Sequence, residues 1–205
     1  MWVVKLGGSL TFSDNLRNWL RVLADASSVV IVPGGGPFSN QVRRVQNHWG
    51  FDDSSAHYMA LLAMEQFGTM LCALQTGLVS AATIAELRAV LERGETPIWM
   101  PALMVMAESD ITHSWGVTSD SLSSWLCGQL GADALLLVKS IPFTRKSLNV
   151  EMLMERRIID SEFGRYLQAV DVPVCLMSEQ DFDRCGEVLG GNMDAAMQVI
   201  KQPPT

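Results

Sequence analysis

Short continuous apolar runs alternate along this chain with longer segments whose apolar positions recur every three or four residues. Val3-Val4, Val29-Val30-Ile31-Val32 and Leu135-Leu136-Leu137-Val138 are runs rather than alternations, the pattern of strands buried on both faces. Strands are expected at about 2–6, 28–33, 96–100 and 134–139, with a fifth at 172–177. Between them Asp14 caps a helix running to about Ala26, and Pro37 suits the first turn of one reaching about His48. Ser55 to Thr76 reads as a long helix rich in Ala, Leu and Met, buried on several sides, and a homodimer interface is one reason for such burial. A further helix at about 83–92 ends at Gly94, and Thr118 or Ser119 caps one that continues to about Leu130. Strands joined by helical crossovers predict an α/β protein with a mainly parallel sheet.

Two of the predicted strands run directly into glycine clusters: Lys5-Leu6-Gly7-Gly8-Ser9 and Val32-Pro33-Gly34-Gly35-Gly36. Glycine lacks the Cβ that would keep consecutive backbone N–H groups from converging on one anion, and a helix opening after the loop adds its positive end. Two such loops suggest two phosphoryl groups, a donor and an acceptor. A glycine-rich turn also serves tight packing alone, although three consecutive glycines exceed what a turn requires.

The 205 residues suffice for one substantial core, and a single domain over 1–205 is expected. A net charge of -7 argues against a nucleic-acid or anionic-membrane binder, which needs basic faces, and favours a small-molecule partner. Cys72, Cys127, Cys175 and Cys185 form no CxxC pair and read as free thiols of a reducing compartment, with neither a zinc site nor a disulfide framework. The start Met1-Trp2-Val3-Val4-Lys5-Leu6 lacks the features of a signal peptide, and no stretch approaches a membrane span, so a cytoplasmic protein is expected. Twelve methionines and six tryptophans read as core or subunit-interface packing. The tail Lys201-Gln202-Pro203-Pro204-Thr205 is expected to fray.

Phosphoryl transfer asks a protein for positioning and positive charge rather than covalent chemistry. Lys5, at a strand end beside Gly7-Gly8, could reach oxygens between a donor and an acceptor; a lysine snorkelling from a strand end is the plainer alternative. Asp120 lies in the first turn of its helix, where a carboxylate either helps the cap or orients two lysines, with Lys139 the second. Lys139 leaves the carboxyl edge of a buried strand, where open α/β sheets bind ligands. His113 and Trp115 flank the Asp120 loop, where either could contact an acceptor, and His48 and His57 read as surface residues. GxxxxGK[ST], HExxH, GxSxG and GxGxxG are absent, so a P-loop ATPase, a zincin, a serine hydrolase and a Rossmann dehydrogenase find no support.

Taken together and in order, Lys5-Leu6-Gly7-Gly8-Ser9, Pro33-Gly34-Gly35-Gly36 and Val117-Thr118-Ser119-Asp120-Ser121-Leu122 resemble the amino acid kinase superfamily. Within it, Pro33 to Arg43 and His113 to Ser123 look most like the aminomethylfuran phosphate kinases of methanofuran biosynthesis. The resemblance covers roughly residues 1–139 well and the remainder loosely. It implies a three-layer α/β/α sandwich, with an acceptor-binding half at about 1–110 and a nucleotide-binding half at about 111–205. It also implies ATP as donor, Mg2+ as counterion and a phosphate monoester as acceptor, becoming a diphosphate. By position, Lys5 would stabilise the transferring group, Asp120 would organise the lysines, and Gly7, Gly8, Ser9 and Lys139 would meet ATP. Gly34, Gly35 and Gly36 would receive the acceptor phosphate, with Asn40, Arg43, Trp115 and Ser119 on the acceptor side and no protein metal ligands.

The chain departs from its relatives after the 134–138 strand, where it reads Lys139-Ser140-Ile141-Pro142-Phe143 in place of a Val-Asp-Gly-like segment. Two alternatives therefore stand beside the furan phosphate kinase. One is a kinase of another small acceptor, such as an isoprenoid phosphate, a nucleoside monophosphate or an amino-acid carboxylate. The other is a non-catalytic ligand-binding member with a degenerate nucleotide site.

Overall fold

A computed structural model describes residues 1–201, so the tail expectation beyond Lys201 lies outside the described residues. The chain runs β1 (Trp2–Leu6), α1 (Leu16–Ala24), β2 (Val29–Pro33), α2 (Gly36–Trp49), α3 (Asp53–Leu74), β3 (Leu78–Ala81), α4 (Ile84–Glu92), β4 (Thr96–Trp99) and α5 (Ala102–Ala107). It continues through α6 (Ser119–Leu130), β5 (Ala134–Lys139), β6 (Ser147–Asn149), α7 (Val150–Glu155), α8 (Phe163–Gln168), β7 (Val174–Ser178), α9 (Cys185–Leu189) and β8 (Met197–Ile200).

The eight strands form one sheet in the order β3-β4-β2-β1-β5-β7-β8-β6, with every pairing parallel except β7 with β8. The continuous apolar runs bury both of their faces, as expected for parallel strands under helices. Val3, Val30, Val32, Leu135 and Leu137 join one core with Leu87 of α4, Leu122 and Leu126 of α6 and Phe163 of α8. Val4, Leu6, Ile31, Leu136 and Val138 join the other with Trp19 and Leu20 of α1 and Val188 of α9. This is the predicted three-layer α/β/α arrangement. Helix α3 contributes Leu61 and Met64 to the first core and Phe67 and Leu71 to the second, so its apolar composition is largely used within its own chain.

Three strands, β3, β6 and β8, were not expected. They have three or four residues each, and none is continuously buried, so they lack the apolar run that marks a central strand. The first glycine cluster opens a five-residue 3-10 turn, Gly8–Phe12, rather than an α-helix, so it has little helix dipole to offer. Thr11 Oγ1 donates to the Gly8 carbonyl at 2.6 Å within that turn. The delay moves the start of α1 to Leu16, with Asn15 rather than Asp14 in the cap position. Helix α3 begins earlier than expected because Asp52 caps it, accepting from the Ser55 N–H at 2.8 Å. His57 is not a surface residue: it is 5% exposed, placed inward by the face of α3 that carries Leu61 and Met64. All four cysteines are free, and burial pushes Cys127, Cys175 and Cys185 up to about 12, leaving those thiols inert at neutral pH. Among the described residues no helix is long and apolar enough to cross a membrane.

Candidate active site

Strand β1 pairs with β2 on one side and β5 on the other, so the direction of chain progression reverses at β1 and a crevice opens beyond the strand ends. The carboxyl ends of these three strands deliver Lys5 with Gly7-Gly8, Gly34 to Gly36, and Lys139 to that crevice. Thirteen of the residues singled out in the sequence line it, Lys5, Gly7, Gly8, Ser9, Gly34, Gly35, Gly36, Asn40, Arg43, Trp115, Ser119, Asp120 and Lys139, whereas His113 does not and packs instead against His57 and Ser54. The cleft has a volume of about 1070 Å³, large for a small-molecule site.

At its floor, two ammonium groups share one carboxylate. Lys139 Nζ donates to Asp120 Oδ1 at 2.8 Å and Oδ2 at 2.7 Å, and Lys5 Nζ lies 3.0 Å from Oδ1. Lys5 and Asp120 are buried, so Lys5 is no snorkelling strand-end lysine: it alternates with Leu6 and turns toward α6. Burial alone would raise the Asp120 pKa, but the charges of Lys139 and Lys5 outweigh it and hold the carboxyl at about 2. Burial lowers Lys139 to about 8, the Asp120 charge holding it up and the Lys5 charge pressing it further down.

The two glycine loops touch. A Cβ on Gly8 would lie 2.0 Å from the Gly36 nitrogen, and one on Gly36, whose φ is +53°, would lie 2.4 Å from the Gly8 carbonyl oxygen. Close backbone packing thus locks the two loops together. The N–H groups of Gly7 and Gly34 are committed to the carbonyls of Val138 and Leu6, at 3.3 and 2.9 Å. Backbone N–H groups without a partner inside the helix lie instead in the residues that follow, at the start of the 3-10 turn and of α2.

On the other wall, Thr118 caps α6, which buries Ser119 and Asp120. Trp115 donates from Nε1 to Gln46 Oε1 at 2.6 Å and lies under the Arg43 guanidinium, 4.3 Å from its centroid. That stacking, rather than free solvation, orders this helix arginine. Asn40 is exposed at the rim.

Sequence reasoning missed Asp160. Its carboxylate accepts from the Thr118 N–H at 2.9 Å, the Thr118 hydroxyl at 2.7 Å, the Ser121 N–H at 3.0 Å and the Ser121 hydroxyl, bracing the turn that carries Asp120. Burial first, then the Asp120 charge, raises its pKa. Its partners lie 39 and 42 residues away, and no local pattern marks it. Arg156 and Arg157, exposed and lining the same cleft, were also missed, since paired arginines after a short helix read as solvated surface.

Among the described residues no group of three or more His, Cys, Asp or Glu comes together as a metal cage. That donor set fits a magnesium ion only if the ion is held mainly by nucleotide phosphates, the usual way this hard, strongly hydrated ion enters such sites.

The [5-(aminomethyl)furan-3-yl]methyl phosphate kinase of Methanocaldococcus jannaschii is 31% identical over 132 residues, spanning 62% of this chain and 59% of that protein. The chain thus aligns with under two thirds of that relative's length. The acetylglutamate kinase of Anaeromyxobacter dehalogenans is 26% identical over 211 residues, 80% of this chain and 78% of its own. In fold, the chain is similar to uridylate kinase from Archaeoglobus fulgidus, with a TM-score of 0.71 at 14% identity over 97% and 99% of the two chains. The UMP kinase from Ureaplasma parvum gives 0.70 at 12% identity over 97% of each. The model of the Amino acid kinase family matches residues 1–147, which hold the three site-bearing strands, both glycine loops and Asp120, and the chain belongs to that family.

Proposed function

We propose that this protein is an ATP-dependent kinase that converts a small phosphate monoester to a diphosphate, with aminomethylfuran phosphate as the favoured acceptor. The observation that carries the reading is the buried Lys5–Asp120–Lys139 cluster in one cleft with two interlocked glycine loops. In the reaction an acceptor phosphate oxygen bonds to the terminal phosphorus of ATP as the bond to the bridging oxygen breaks, and ADP leaves with that oxygen. Lys5, central in the cleft, offsets charge on the group in transit, while Lys139 faces the donor side. Asp120 holds both ammonium groups in place, and the backbone after Gly7 and after Gly34 cradles the donor and acceptor phosphates respectively. Arg156 and Arg157 add positive charge to the mouth of the cleft. A magnesium ion arriving with the nucleotide would neutralise phosphate charge.

The aminomethylfuran acceptor is supported by the identity to the archaeal relative, and on that reading the reaction belongs to methanofuran-type cofactor biosynthesis. We assign the protein to the cytoplasm, where ATP and a reducing environment suit its four free thiols. We also favour a homodimer, with exposed Tyr58 and Met59 of α3 at the interface; light scattering that finds only monomer would remove it.

The test is phosphorus NMR of the protein with magnesium-ATP and aminomethylfuran phosphate, beside isopentenyl phosphate, UMP and acetylglutamate. A furan diphosphate forming with matching ADP is the expected result. Turnover of a different acceptor alone would reassign the substrate, and silence from all would favour a ligand-binding member without catalysis.

A further inference from the structure

Beside Gly35 a second, smaller recess of about 90 Å³ opens off the cleft. One face of α3 forms its wall, because Asp53, His57, Leu61 and Met64 recur at helical spacing and stack along one side. Arg43 and Trp115 stand at its mouth, between the recess and the rest of the cleft.

The wall carries an unsatisfied atom. His57 is buried, with 5% of its surface exposed, and its Nε2 has no hydrogen-bond partner. Buried polar atoms in folded proteins are almost always paired, so an unpaired one in a side chain that lines a recess points to a ligand group. The ring is held flat against His113, with centroids 4.9 Å apart and planes 11° apart, and His113 Nδ1 in turn meets Ser54 Oγ at 2.8 Å. Burial first, and the neighbouring His113 second, lower the His57 pKa to about 4, so the ring is neutral at pH 7. With the neutral ring's single proton on Nδ1, Nε2 is a bare acceptor.

One turn before His57 stands a carboxylate. Asp53 Oδ1 accepts from Gln46 Nε2 at 2.9 Å, and Gln46 is itself fixed by the Trp115 indole, so the acid is held at the recess rather than left to swing in solvent. The site is therefore polarised from end to end. Arg43 and the glycine-loop amides suit an anion, whereas Asp53 and His57 offer only acceptors. A dicarboxylate would set its second acid against Asp53, and an unbranched hydrocarbon would leave Nε2 unpaired.

We propose that His57 Nε2 and the Asp53 carboxylate together bind a protonated primary amine at the far end of the acceptor, so that this recess selects phosphate monoesters bearing an ammonium group. The inference rests on the kinase reading only in calling the ligand an acceptor. The chemistry is ordinary: an ammonium hydrogen bonded to a buried neutral imidazole and paired with a carboxylate at the rim.

Calorimetry on the full chain without nucleotide tests it, using [5-(aminomethyl)furan-3-yl]methyl phosphate and its analogue with methyl in place of aminomethyl. The wild type is expected to bind the amine about 10- to 100-fold more tightly than the methyl analogue. Asp53→Asn, at the exposed rim, and His57→Phe, which keeps a flat ring against His113, should each collapse that ratio toward one. Equal affinities in the wild type, a ratio that survives both substitutions, or failure to bind either compound would overturn the proposal. ADP release measured in parallel separates the two readings. Amine preference without ADP from any acceptor removes the kinase and keeps the recess, and ADP without amine preference does the reverse.

Discussion

Gly8 and Gly34 meet backbone to backbone: a Cβ built on Gly34 would stand 2.3 Å from the Gly8 nitrogen, inside any permissible contact. The loops proposed to hold donor and acceptor phosphates are therefore not independent. Each fixes the position of the other, so the separation of two bound phosphates would be set by the packing of the empty protein.

Gly34→Ala should lower the unfolding free energy by about 1–3 kcal/mol, because backbone rather than a flexible side chain must yield. Gly186→Ala is the matched control. Gly186 lies in α9 with nothing within 4 Å of its added Cβ and should be neutral or stabilised by up to about 1 kcal/mol. Denaturant titration of both variants decides it; equal losses would mean that the loops are not locked.

Asp120→Asn removes the carboxylate that two buried ammonium groups share. Removing one partner of a buried ion pair costs about 3–5 kcal/mol, so a large fall in melting temperature is expected together with loss of turnover. A variant as stable as wild type would show that the cluster carries little of the local stability.

Lys139 supplies a pH signature. Its pKa of about 8 in the fold lies below the ordinary 10.5, so the unfolded chain binds the extra proton between those values. Stability contributed at this position therefore rises with pH across that window, being lowest below pH 8, where the buried ammonium is fully charged. Activity should run the opposite way, with kcat/KM for ATP falling as pH climbs through about 8. Lys139→Arg, which stays charged, should lack that limb in a pH–rate profile.

Asp160 can be tested through the same limb. Its carboxylate helps keep Lys139 charged, so Asp160→Asn should move the alkaline limb to lower pH. The loss of its bonds to Thr118 and Ser121 should cost about 0.5–2 kcal/mol, the range for helix caps. An unmoved limb with reduced stability would confine Asp160 to a structural part.

Much of this was legible before any coordinates. Val29 to Val32 and Leu135 to Val138 announce central strands because two buried faces demand an unbroken apolar run, and Lys5, the glycines and Asp120 sit at fixed offsets from such strands. What stayed hidden depends on distant partners. His57 looks like any histidine on a helix until α3 is turned against the 113–118 loop, and Asp160 matters only where α6 begins. Strands β6 and β8 exist because they pair with each other at the far side of the sheet, and three or four residues hold too little pattern to reveal that.

The Lys5–Asp120–Lys139 cluster has a net charge of one positive unit, since two ammonium groups surround one carboxylate that remains ionised far below neutral pH. The work of stripping water from these ions and crowding two like charges together is done once, when the chain folds. A polyphosphate entering the cleft thus meets an oriented field in place of solvent dipoles that would have to turn. Little of the barrier to transfer would remain as solvent reorganisation, and the rate would respond to shifts of the carboxylate of a few tenths of an ångström more than to bulk ionic strength.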